Sequence, residues 1–236
     1  MAAVWLSGAP TAPPVASFAL ECLAWAHALP QLTTQLSPHV WWQLAEQLVA
    51  IASRPSDQAG PLSAQLLWAE LPLTLAYNFP EIDACQALAE PGLDTLATGF
   101  AELLDGEGLI HAQHLHLQWP LIACWTRSQS VAKRLPEGGW PKPLQTEFAL
   151  LLRNAARLTR PDGRPALATT GPGRAKPALL AAATRLATAC RRSGSPPIID
   201  RASILRTDQW HAAHGMLLAS TISGLESFPN PNAQGL

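Results

Sequence analysis

Apolar residues recur at three- and four-residue intervals as far as about residue 192, the spacing of one face of an α-helix. The segment 15–29 (VASFALECLAWAHAL) carries this spacing and stops before Pro30. The segment 38–53 (PHVWWQLAEQLVAIAS) predicts a second helix, with Ser37 at the N-cap and Pro38 at the first helical position. Residues 61–78 (PLSAQLLWAELPLTLAYN) predict a third. Pro72 should kink or split it, because proline brings no amide hydrogen and its ring crowds the carbonyl four residues back. Residues 80–90 lead through Pro91-Gly92 into a helix at 93–104 that closes at Asp105-Gly106. A further helix over 111–135 ends in the turn cluster PEGGWPKP. The segment 143–160 then places Arg153, Arg157 and Arg160 near the negative end of a helix dipole and stops at Pro161-Asp162-Gly163.

No stretch alternates with a period of two, so the expected fold class is all-α, with short connections pairing consecutive helices as antiparallel hairpins. The helices recur loosely, as in a toroid of hairpins, and without the strict period of a solenoid. After Leu167 the texture changes. Residues 168–177 read as a linker, 178–192 as an Ala-rich helix, and 193–236 as a tail with an apolar stripe only around Trp210 to Leu218. The expected organisation is a helical domain over 1–192 followed by that tail.

Composition narrows the partners. Apolar residues make up 48 % and charged residues 14 %, against a usual charged share of about 25 %. The formal net charge is −1, which offers no basic field to nucleic acid or an anionic membrane. No apolar run reaches the roughly 18 residues of a membrane span. The N-terminus (MAAVWLSGAPTAPPVASF) has no basic region ahead of its apolar patch, so no secretory signal is expected and a cytoplasmic location is the default. Cys22, Cys85, Cys124 and Cys190 are scattered among Ala and Leu without a C-x-x-C, which predicts buried free thiols.

The chemistry-bearing residues are few. His111, His114 and His116 lie close together, and on a helix the first two share a face. They lack the H-E-x-x-H pattern and the convergent carboxylates of a zinc site, so no metal and no other cofactor is expected. His211 and His214 form a second pair, without an accompanying Glu, and read as surface histidines. Nine tryptophans serve either a core or a sugar-stacking groove. Trp140, in a Gly-Gly-Trp-Pro setting, is the groove candidate. Tyr77, the single tyrosine, would need a neighbouring His or Arg for proton-transfer work, and none is adjacent in sequence. Asp105-Gly106-Glu107-Gly108 lacks the alternating ligands of a calcium loop. Phosphate-binding and nucleophile-elbow motifs are absent.

Leu104-Asp105-Gly106 and Thr159-Arg160-Pro161-Asp162-Gly163-Arg164 are two turn signatures held apart by about two helices. With His116 between them, this layout resembles the helical domain of heparinase II/III-type polysaccharide lyases. The resemblance covers about a quarter of the chain closely and extends loosely back to residue 61. It implies an incomplete α/α toroid and β-elimination on a uronic-acid polymer. His116 falls where the family has its histidine and would be the base. His111, His114, Arg127 and Trp140 would bind an acidic polysaccharide. Leu115 stands where the family carries a tyrosine, and QLLWAELPLT occupies the place of an Asn/His-rich segment. The family's β-sandwich has no counterpart in this sequence and would be a missing domain or partner. The implied protein is lyase-like yet inactive as this chain alone. Two other readings are an acidic-polysaccharide binder and a plain helical scaffold.

Overall fold

The computed structural model describes residues 2–136, 139–160, 166, 178–179 and 181–185. The second turn signature from Pro161 to Arg164, the pair His211 and His214, Cys190 and the tail 193–236 lie outside them. The described residues are all-α and contain no named strand. They divide into two compact units. One comprises residues 1–103 with 124–144, and the other comprises 104–123 with the described residues from 145 onward.

The first unit opens with α1 (Ala2–Gly8) and α2 (Ala16–Ala28). Helix α2 buries Ala19, Leu20, Cys22, Leu23 and Ala26. Pro30 does not end the coil. It enters a 3-10 turn over Leu29–Thr34, whose first positions need no amide hydrogen. Helix α3 (Pro38–Ala52) begins after Ser37, which takes the extended N-cap conformation while its hydroxyl makes no capping bond. Its buried face is Leu44, Ala45, Leu48 and Ala52.

The stretch with Pro72 is interrupted ahead of the proline, as the sequence predicts. Helix α4 (Pro61–Gln65) passes into a π-turn at Leu66–Glu70 and on into α5 (Leu71–Asn78). The Leu71 amide donates to the Leu66 carbonyl, five residues back. That wider turn makes room for the proline ring, which cannot sit against the carbonyl four residues behind it. All residues from Leu66 to Ala76 are buried.

After the short α6 (Asp83–Gln86), helix α7 runs from Ala89 to Leu103, straight through Pro91-Gly92. Pro91 is tolerated because it lies in the first turn, where amides have no intrahelical acceptor. Helix α7 crosses the α4–α5 rod closely at its glycines. A methyl at Gly92 would stand 3.0 Å from Pro72 Cβ, and one at Gly99 would stand 2.0 Å from Gln65 Nε2. The Gln65 amide fills the Gly99 notch, donating to Thr95 O at 3.1 Å.

Helix α8 (Gln118–Ala132) follows, and every residue from Leu121 to Gln129 is buried. Its partners fix its direction within the first unit. Gln65 Oε1 accepts from Trp125 Nε1 at 2.8 Å, Glu70 pairs with Arg127, and Tyr77 meets Arg134 just beyond the helix. Numbers rise together on the two rods, so α8 runs parallel to α4–α5. Helix α7 meets the same rod with numbers falling as the others rise, so it runs antiparallel.

In the second unit, α9 (Lys142–Arg157) buries Phe148, Leu151, Leu152 and Ala155. This is an i, i+3, i+4, i+7 face, each large side chain worth about 1.5–3 kcal/mol of burial.

Candidate functional site

The histidine segment belongs to the second unit. The loop ahead of it is tightly tied. Gly106 and Gly108 have φ of 79° and 81°, a region that glycine enters without a Cβ penalty. Asp105 Oδ1 accepts from the Glu107 amide at 2.9 Å and from the Leu109 amide at 3.0 Å. Asn154 Nδ2 of α9 donates to Glu107 O at 2.9 Å. A methyl at Gly108 would stand 2.6 Å from Leu150 Cβ and from the Leu151 amide nitrogen. Leu104 and Ile110 close the loop as an antiparallel bridge. Asp105-Gly106 is therefore a turn held by the aspartate's own carboxylate. The amide hydrogen bonds, led by that of Leu109, hold the Asp105 carboxyl below its ordinary range, with His111 adding a favourable charge. Glu147 of α9 is raised above its ordinary value, first by partial burial and then by the nearby Asp105 charge.

The segment 111–117 is not α-helical. His111 caps a 3-10 turn at Ala112–Leu117, and α8 begins only at Gln118. His111 stands ahead of the turn as its N-cap, and His114 and His116 lie in its last turn. His111 and His116 are exposed and His114 is half-buried. The His114 ring nitrogen Nε2 lies 3.1 Å from Gln113 Nε2. Among the described residues no three His, Cys, Asp or Glu side chains group as metal ligands.

Arg127 and Trp140, expected to touch a glycan, are core residues of the first unit. Arg127 is 1 % exposed and Trp140 is 3 % exposed. The Arg127 fork engages Glu70 through Nε to Oε1 and through Nη2 to Oε2, the latter at 2.8 Å. Both side chains are fully buried. Burial would lower the Arg127 pKa, but the Glu70 charge and hydrogen bonds outweigh it and hold the guanidinium above its usual value. A guanidinium neutralised in this way cannot reach a sugar acid. Trp140 packs edge-on against Phe100 with ring centroids 5.6 Å apart, and Phe100 lies on Trp125 at 4.2 Å. Gly139 ahead of it takes a φ of 110°.

Other polar groups gather around the buried pair. The Cys124 thiol lies 3.5 Å from Gln65 O, and Ser128 Oγ donates to Cys124 O at 3.0 Å. Thr74 Oγ1 donates to Glu70 O at 2.8 Å. Desolvation raises the Cys124 pKa well above its ordinary value, with the Glu70 charge adding to it. The thiol is thus no nucleophile. The arrangement holds a charge pair inside a helix stack.

Sequence reasoning missed a second pair of the same design. Arg134 Nη1 donates to Tyr77 Oη at 3.0 Å, and the guanidinium carbon lies 5.7 Å from the ring centroid. Arg134 is exposed and Tyr77 half-buried. Tyr77 does have an arginine neighbour, but one 57 residues away. Glu70 and Arg127 are separated by 57 residues as well. The two pairs therefore repeat along parallel rods, two turns apart. The matching seven-residue steps, Glu70 to Tyr77 and Arg127 to Arg134, were the signal in the sequence.

An open groove of about 680 Å³ at the N-terminus is lined by Val4, Trp5, Gly8, Ala9, Ala12, Phe18 and Glu21. Its single carboxylate among apolar walls gives a polar sugar little to bond with. No helix among the described residues is long and apolar enough to cross a membrane. In comparisons with known proteins, no family model, curated protein or solved structure matches the chain.

Proposed function

We propose that this chain is a heparinase II/III-like helical module, an incomplete α/α toroid that holds an acidic polysaccharide and does not cleave it as this chain alone. The observation that carries the reading is the winding of three successive long elements. The α4–α5 rod, α7 and α8 run parallel, antiparallel and parallel in turn. A toroid of hairpins repeats that alternation. The tied Asp105-Gly106 turn supports the same kinship.

β-Elimination requires relief of the uronate charge, a base for the C5 proton and an acid for the leaving oxygen. His116, exposed on its 3-10 turn, is the base candidate, and a positioned base supplies typically about 10²–10⁴-fold against the roughly 10⁶–10¹⁷-fold of whole enzymes. Arg127 is spent on Glu70 in the core and relieves no substrate charge. Leu115 occupies the position of the family's tyrosine. A β-sandwich partner would have to supply what is missing.

The test is incubation of the chain with heparan sulfate and with alginate, followed by ultraviolet absorbance of unsaturated uronate and, separately, by titration calorimetry. The expected result is binding heat without absorbance. A sustained rise in absorbance at substoichiometric protein overturns the non-cleaving part. Absence of heat with either polymer overturns the glycan reading and leaves a scaffold.

A further inference from the structure

We propose that the groove at the N-terminus is a binding site for a small organic cation, an alkylated ammonium carried on an apolar body. This site is separate from the glycan reading and does not rest on it.

One wall of the groove comes from α2. Phe18, Glu21 and Trp25 follow one another at i, i+3 and i+7, so they share a helix face. That face is not the buried one, since Glu21 is exposed and the two rings are half-buried. Val4 and Trp5 of α1 supply the other wall. The Trp5 ring stacks on Phe18 with centroids 6.4 Å apart and planes 16° apart, and it meets Trp25 at 5.9 Å. Its indole N–H is buried without an acceptor, so ring contacts hold the side chain in place. Gly8, Ala9 and Ala12 complete the lining with small residues. A methyl on Gly8 would meet no atom within 4 Å. The volume of about 680 Å³ falls within the roughly 300–1,000 Å³ of small-molecule sites.

The lining selects the ligand by charge. Aromatic faces attract cations through the ring quadrupole. Glu21 is the one charged residue of the lining, and its carboxylate forms no hydrogen bond or ion pair with another described residue. The groove therefore presents an unanswered negative charge beside two aromatic rings. Backbone acceptors at the groove are already engaged. Val4 O accepts from Ser7 Oγ at 2.8 Å, Gly8 O from Thr11 Oγ1 at 3.2 Å, and Ala9 O from the Ala12 amide at 3.3 Å. A bare ammonium carries three donors and would give up water there without replacement. An alkylated ammonium has few donors to lose, and its methyl groups pack on the rings. The remaining walls are apolar and call for an apolar body.

The experiment titrates the full chain with benzyltrimethylammonium, benzylammonium, benzyl alcohol and phenylacetate, which share one aromatic ring and differ in charge and alkylation. Binding is followed by the ¹H–¹⁵N resonances of the tryptophan indoles, the Trp5 signal being the one lost in Trp5→Phe. Benzyltrimethylammonium should shift the Trp5 signal to saturation, with weaker binding at high salt. The other three compounds should bind more weakly. Glu21→Gln should weaken binding of the cation about fivefold, the scale of one exposed charge contact. Val4→Lys, which sets a like charge on the rim, should weaken it by a similar factor. Val4 is 75 % exposed and Glu21 is exposed, so both variants should keep the wild-type circular dichroism and melting temperature. A Trp5 signal that does not move overturns the site. Cation binding unchanged in both folded variants overturns the role of Glu21. Equal binding of benzyl alcohol or phenylacetate overturns the selection for charge, and equal binding of benzylammonium overturns the selection for alkylation.

Discussion

Replacing Arg127 by methionine removes one half of an ion pair whose side chains are both inaccessible to solvent. The Glu70 carboxylate loses two charge-assisted hydrogen bonds, from Nε and Nη2, and has no water to replace them. Leaving a buried charge uncompensated costs about 3–5 kcal/mol. That is a large share of the roughly 5–15 kcal/mol that holds a domain together. Replacing both residues, Glu70→Leu with Arg127→Met, removes the charge and the partner together. The double variant should fall within about 1–2 kcal/mol of wild type, because well-packed apolar residues substitute for a buried pair at little cost. The coupling between the sites is then roughly 3 kcal/mol, obtained from a double-mutant cycle in urea followed by tryptophan fluorescence. A single-variant loss below about 1 kcal/mol would refute the reasoning. It would also be refuted if Arg127→Met weakened glycan binding while leaving unfolding unchanged, since Arg127 would then be a ligand group rather than a core one.

Gly99→Ala should cost about 2–4 kcal/mol in the same urea assay. Its methyl would displace the Gln65 amide, leaving Thr95 O and the Trp125 indole N–H without their partner. Glu147→Gln should raise the melting temperature slightly at neutral pH. The folded-state pKa of Glu147 is raised, so the stability tied to its protonated form is present below the unfolded value of about 4.3 and lost as pH rises through the folded one. The gap between variant and wild type in scanning calorimetry should accordingly widen from acid to neutral pH, and a constant gap would contradict this assignment. The Cys22 and Cys85 thiols are pushed up to about 12 and about 11, in both cases chiefly by burial. Iodoacetamide at neutral pH should leave them, with Cys124, unmodified in the native protein and alkylate all three after unfolding, as read by peptide mass spectrometry.

The helices α3 and α9 were legible in the sequence because their apolar residues keep to one face, and α2 because a dense apolar run stops before Pro30. The interruption expected at Pro72 is present as a π-turn, whereas Pro91, expected to precede the next helix, lies inside it. Pro72 and Pro91 both sit where the chain has no amide bond to lose. One follows a π-turn that has shifted the register, and the other lies in a first turn whose amides are unpaired in any case. The histidine segment, read as the start of a long helix, is a 3-10 turn because the tied Asp105–Ile110 loop delivers the chain to α8 only at Gln118. Arg127 and Trp140 illustrate a different limit. An arginine in an Ala/Trp/Thr/Ser helix gives no local sign that a glutamate 57 residues away will bury it. Tryptophan in a glycine-rich turn can point outward or inward, and the Phe100 ring decides which. The Tyr77–Arg134 contact depends wholly on how two distant helices are aligned.

That alignment has an identifiable source. Glu70 faces Arg127, and one helical turn to either side on α8 the position is Ala123 or Val131. A slip of α8 by a turn would leave the carboxylate against an apolar side chain, at the several kcal/mol already estimated for a lone buried charge. The core pair thus selects one register, and that register is what carries Arg134 to Tyr77 two turns later. Burial alone cannot do this, since Leu, Ala and Val tolerate small slips of one rod along another. If the argument holds, the Glu70→Leu/Arg127→Met double variant should stay folded yet lose its fixed alignment at the exposed end. Tyr77 is the single tyrosine, so 3-fluorotyrosine labelling gives one ¹⁹F resonance. In the double variant that line should broaden or move toward its position in Arg134→Gln. An unshifted, sharp line would mean that the Gln65–Trp125 hydrogen bond and the Gly92 and Gly99 contacts set the register without the charges.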